Sequence, residues 1–88
     1  LMVICYVSLK EHNRGAGAKF INAINAMNEV IACYNISGEF DFMLKVVCKD
    51  MNAYYDFHVN KLGLTDNVGN MQSVFVMGVI KDTHKLIW

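Results

Sequence analysis

The side chains able to do chemistry are few in this sequence, and most stand apart from one another. His12, His58 and His84 fall in a loop, a helix-like stretch and a tail, and no two share a metal-ligand spacing. Cys5, Cys33 and Cys48 make an odd set with no C-x-x-C, each inside an apolar, strand-like run. Buried structural thiols in a reducing, cytoplasmic compartment are the expectation. Ser8, Ser37 and Ser73 lack the G-x-S-x-G context of an activated nucleophile. Gly15-Ala16-Gly17-Ala18 follows a strand and opens a helix, the topology of a phosphate loop. Phe20 then stands where such a loop needs its basic and hydroxyl residues, so a plain helix start is expected. One pair is more suggestive. Glu39 and Asp41 flank Phe40 beside Gly38. Paired carboxylates serve acid–base chemistry, or they simply keep a turn polar. With free backbone N–H groups nearby they also suit the zwitterion of an amino acid. No nucleophile, base and orienting acid assemble, so no catalytic residue, metal site or cofactor is assigned.

The elements that must position these residues are legible in the hydrophobic pattern. Residues 2–9 read MVICYVSL, a β-branched and aromatic strand. Ala16, Phe20, Ala23, Ile24 and Met27 recur at helical spacing, which predicts an amphipathic helix over 16–28. A second strand is expected over 30–37, a tight connection at Gly38-Glu39, and a third strand over 40–49. Asp50 is a suitable N-cap for a helix carrying Met51, Tyr54, Phe57 and Leu62 inward. Residues 63–69 read as a loop, 70–81 as a fourth strand, and the tail ends in Trp88. The order β-α-β-β-α-β with right-handed crossovers defines an α+β fold, the ferredoxin-like sandwich, with a four-stranded antiparallel sheet and two helices on one face.

Composition adds a partner. The chain of 88 residues suits one domain spanning 1–88, and is 55% hydrophobic but only 18% charged. On the first strand Val3, Cys5, Val7 and Leu9 point one way and Met2, Ile4, Tyr6 and Ser8 the other. The third and fourth strands are likewise apolar on both sides. Two helices cover one face, so the other is expected to pack on a second copy of the chain. The 8 basic and 8 acidic residues balance and form no basic cluster, which argues against direct duplex binding. Phe40, Phe42 and Phe75 could stack on bases, but the first strand lacks matching aromatics and packing is the simpler expectation. No apolar run reaches the length of a membrane span.

The stretch Tyr34-Asn35-Ile36-Ser37-Gly38-Glu39-Phe40-Asp41-Phe42-Met43-Leu44-Lys45-Val46 resembles the hairpin signature of the Lrp/AsnC family. Asn28-Glu29-Val30, the helix start after Asp50, and Val68 with Ser73-Val74-Phe75-Val76-Met77 extend the likeness over essentially the whole chain. The resemblance implies a small-molecule effector, usually an amino acid, bound between dimers that pair through sheet faces and assemble into octamer-like rings. It places the ligand on Gly38, Asp41, Met71 and Ser73, with the loop 63–67 shaping the pocket, and the neighbouring carboxylate of Glu39 is counted with them from its pairing with Asp41. Met71 departs from the family's paired threonines, whereas Ser73 keeps a hydroxyl. The family's DNA-binding helix-turn-helix precedes this domain and is not in these residues. Leu1 at the first position favours an excised portion over a stand-alone form. The expected function is effector sensing and oligomerisation in a transcriptional regulator. Two rivals remain: a small dimeric ferredoxin-like enzyme using Asp41 or Lys45, and an association module without a ligand.

Overall fold

The first strand, β1 (Met2–Leu9), sets the frame of the molecule. Its alternation is strict: Val3, Cys5, Val7 and Leu9 are buried, and Met2, Ile4, Tyr6 and Ser8 are half-buried. A computed structural model describes residues 1–82. The remaining elements are α1 (Arg14–Asn25), β2 (Val30–Asn35), β3 (Phe42–Val47), α2 (Met51–Phe57), a π-helical turn (His58–Leu62) that continues α2, and β4 (Val68–Phe75). The four strands form one antiparallel sheet in the order β2-β3-β1-β4. This is the βαββαβ sandwich expected from the sequence.

Period-two burial on the strands and the inward faces of the helices meet in one core. Phe20 and Ile24 from α1, and Tyr54, Phe57 and Leu62 from α2 and its π turn, pack on Val3, Cys5, Val7, Phe42, Leu44 and Val46. Both helices therefore cover the same face. The opposite face carries Met2, Ile4 and Tyr6 from β1, Met43, Lys45 and Val47 from β3, and Val74 from β4. Val47 is 41% and Val74 42% exposed. The apolar second face read from the sequence is present, and among the described residues nothing covers it.

The first strand has the expected bounds, whereas α1 and the other three strands are shorter than the pattern suggested, for local reasons. Helix α1 starts at Arg14 because the Asn13 side chain accepts from the Ala16 N–H at 2.8 Å and satisfies one of the free donors of the first turn. It ends at Asn25, not 28. The connection between β2 and β3 spans residues 36–41 and is not a two-residue turn. Phe40 accordingly leaves the buried alternation it was expected to share with Phe42, and its ring meets Tyr6 at 5.6 Å. Strand β4 begins earlier, at Val68, and stops at Phe75, because its partner strand runs out. Phe75 pairs with Val3, and the Val76 N–H donates to the Met2 carbonyl at 3.1 Å. Beyond that point no strand lies alongside among the described residues, and Met77 and Ile80 are 97% and 99% exposed. Cys5 and Cys48 are buried as expected, but Cys33 is exposed because β2 is the sheet edge and its second half is not covered by α1. His84 and Trp88 lie outside the described residues.

Candidate functional site

The residues singled out from the sequence fall into two groups on either side of β1. The first is the 36–41 connection. Asp41 is tied at four points: its N–H donates to the Val7 carbonyl at 2.9 Å, its carbonyl accepts from the Ile36 N–H at 2.9 Å, and its carboxylate accepts from the Leu9 N–H at 2.8 Å and pairs with His12 Nε2 at 2.9 Å. The Leu9 N–H, and then His12, hold this carboxyl below the usual carboxylate range against an opposing desolvation. Gly38 has φ +109°, a region that L side chains rarely adopt, so the connection needs glycine there. Glu39 is exposed and takes no part in the contacts of Asp41. A cavity of about 150 Å³ lies beside Asp41, lined by Leu9, His12, Asn13, Asn35 and Phe42 among others.

The second group lies on β4. Met71 pairs with Val7 and Ser73 with Cys5, so both share the face that the helices cover. Met71 packs against the core. Ser73 Oγ lies 2.5 Å from Tyr54 Oη, which is also 2.9 Å from Cys5 Sγ and 3.4 Å from His58 Nδ1. The Tyr54 ring is buried and meets Phe75 edge-on at 5.5 Å. Burial raises the Tyr54 hydroxyl far above its ordinary value, so it stays protonated and acts as a hydrogen-bonding group.

Phe42, Val7 and Met71 form one transverse row of the sheet, and Leu44, Cys5 and Ser73 the next. The two groups thus stand near one end of the sheet with β1 between them, about 10 Å apart at two strand spacings. The cavity at Asp41 is lined by neither Met71 nor Ser73. Within one chain the five residues do not close a single pocket.

The loop after the π turn is fastened to the same end. Asn67, at φ 70°, accepts the Glu11 N–H on Oδ1 and donates from Nδ2 to the Glu11 carbonyl, each at 2.8 Å. A wider groove of about 440 Å³ runs between this loop and the start of α1, lined by Glu11, Asn13, Lys19, Asp66 and Asn67 among others. Among the described residues no three His, Cys, Asp or Glu side chains gather at one point, and no helix is long and apolar enough to cross a membrane.

Sequence reasoning missed His12 and Tyr54. His12 reads as an unremarkable loop residue, and only the fold brings it to Asp41. Tyr54 reads as a core aromatic at helical spacing, and nothing in the pattern announces that its hydroxyl reaches Ser73, 19 residues on.

The fold and this arrangement define a class: a ferredoxin-like α+β domain with polar groups at one end of its sheet and an uncovered apolar face. The chain belongs to the Lrp/AsnC ligand binding domain family, whose model matches residues 2–86. It is 31% identical over 80 residues to the transcriptional regulator AzlB of Bacillus subtilis, covering 91% of this chain and 51% of that protein. It is 30% identical over 90 residues to the leucine-responsive regulatory protein of Escherichia coli K12, covering 99% and 53%. In structure it is similar to a transcriptional regulator of Neisseria meningitidis in complex with L-Met, with a TM-score of 0.91 and 31% identity over 98% of this chain and 55% of that one. The chain therefore spans about half the length of the regulators it matches.

Proposed function

We propose that this chain is the effector-sensing and self-association part of a transcriptional regulator, acting in the cytoplasm, and that its effector is an amino acid or a closely related small molecule. The observation that carries this reading is the likeness to the regulator crystallised with L-Met, which extends over nearly the whole chain. One domain spans residues 1–88. Gly38, Glu39, Asp41, Met71 and Ser73 contribute to the ligand site. Because these residues do not close a pocket in one chain, a neighbouring subunit completes it. Dimers form through the uncovered sheet faces and join into larger, octamer-like assemblies. Contact with DNA belongs to a helix-turn-helix outside these residues.

Differential affinity of the effector for two assembly states is what moves the equilibrium between them. On this reading the chain is a sensor and not an enzyme, and Asp41 serves to hold the connection through a backbone N–H and a histidine. Calorimetric titration with each of the twenty amino acids, alongside mass measurement by light scattering, tests the reading. Saturable binding of one or a few amino acids with a change in assembly is expected. Flat traces for all of them at an unchanged mass would overturn it.

A further inference from the structure

The effector reading leaves one set of contacts unused. Ser73, the only hydroxyl of the proposed ligand set, is bonded to a side chain on the helical layer. Tyr54 Oη stands among three polar partners: Ser73 Oγ, Cys5 Sγ and His58 Nδ1. A phenol has one proton to donate and a limited set of lone pairs to accept with. It cannot serve all three fully, and His58 at 3.4 Å is the least engaged.

The arrangement makes exchange inexpensive. If Ser73 turns to another partner, the Tyr54 hydroxyl keeps Cys5 and has His58 within reach, so no buried polar group is orphaned. Orphaning is what normally makes breaking a buried hydrogen bond costly. The two ends of the contact also differ in rigidity. Ser73 is on β4, which among the described residues pairs with β1 alone at the sheet edge, and is half-buried. Tyr54 sits on α2 just before the helix widens into the π turn at His58–Leu62. Such turns recur at functional positions and mark a loosened helical ladder.

We propose that Tyr54 is a positioning residue that gates the effector site: its hydroxyl holds Ser73, and an effector polar group that engages Ser73 does so in exchange for Tyr54. The gate rests on the effector reading above. Its consequence is that effector capture at the sheet edge removes the tie between β4 and α2 while Tyr54 keeps Cys5, which passes the event to the helical layer. Its second consequence is that Tyr54 opposes binding, since part of the effector's interaction with Ser73 replaces one already made.

The test uses the full chain and its Tyr54→Phe, Ser73→Ala and doubly substituted variants, titrated with L-Met and the other nineteen amino acids. Thermal unfolding and amide hydrogen exchange are recorded without ligand. Tyr54→Phe is expected to bind its amino acid about three- to tenfold more tightly than the parent chain, the worth of one net hydrogen bond. Ser73→Ala should bind more weakly, and the double variant should match Ser73→Ala. Tighter binding separates a gate from a merely structural tyrosine, whose loss would weaken binding. Unchanged or weaker binding by a folded Tyr54→Phe overturns the gate. So does strict additivity of the two substitutions in unfolding, even where L-Met binding persists. If no amino acid binds any variant while unfolding still shows the two side chains coupled, the effector reading itself fails and the contact is structural only.

Discussion

Asp41 and Glu39 are two residues apart and chemically alike, yet they do different things. Asp41 faces a backbone N–H and a histidine, whereas Glu39 faces water. Asp41 fastens the 36–41 connection to the end of β1 and the start of the β1–α1 turn. Replacing it by alanine removes a charge-assisted acceptor, and a loss of about 1–2 kcal/mol of stability is expected at pH 7. Asp41→Asn should lose less, because an amide oxygen still accepts from Leu9. The pH dependence has a definite sign. The folded-state carboxyl is lowered, so its contribution is fully present above the unfolded value of about 3.9 and is lost as pH falls through the folded value. Urea unfolding at pH 7 and at successively lower pH checks this: the gap between the parent chain and Asp41→Asn should narrow as the pH falls. A gap that stays constant would show that the ionised form is not what is held.

At the scale of elements, the π turn is the feature with the clearest physical requirement. Tyr54 and Phe57 point inward at helical spacing, but Leu62 lies five residues beyond Phe57, too far round an α-helix to share their face. The i→i+5 turn over His58–Leu62 brings it back, and Leu62 is fully buried. The Gly63 N–H closes this turn on the His58 carbonyl at 2.9 Å. A Cβ at position 63 would lie 2.7 Å from that same oxygen. The clash is with backbone, which cannot swing aside. Gly63→Ala should therefore cost about 1–3 kcal/mol, as overpacking does, and should raise amide exchange over residues 58–65. A thermal midpoint equal to that of the parent chain would mean the turn relaxes to an ordinary helix at no cost.

The two faces of the sheet are treated unequally. One face of the sheet is buried under two helices, and the other offers Met2, Ile4, Tyr6, Met43 and Val74 to whatever packs on it. If a second copy is that partner, stability is shared with association, and the unfolding midpoint must rise with protein concentration. Differential scanning calorimetry across a hundredfold range of concentration reads this directly. Ile4→Glu, on the central strand, should shift the mass towards one chain and remove the concentration dependence. An unaltered mass for a folded Ile4→Glu would place the association surface elsewhere.

Much of this was legible without a structure. Element order, the two-sided apolar strands and the inward faces of both helices follow from periodicities of 2 and 3.6, which are local consequences of backbone geometry. The Gly38–Asp41 stretch stood out as residue types at a spacing, and Ser73 only through the resemblance to the Lrp/AsnC family. Sequence by itself therefore determined the architecture and the apolar character of both faces of the sheet. Tertiary structure alone decided where the strands end, because β4 stops where β1 offers no further partner. It alone moved Phe40 to the open face against Tyr6, left Cys33 exposed at the edge, and placed β1 between Asp41 and Met71. It also joined His12 to Asp41, and Tyr54 to Cys5 and Ser73. The reason is common to all of these: strand pairing and side-chain hydrogen bonds join residues far apart in the chain, and a pattern that repeats every two or four residues carries no information about them.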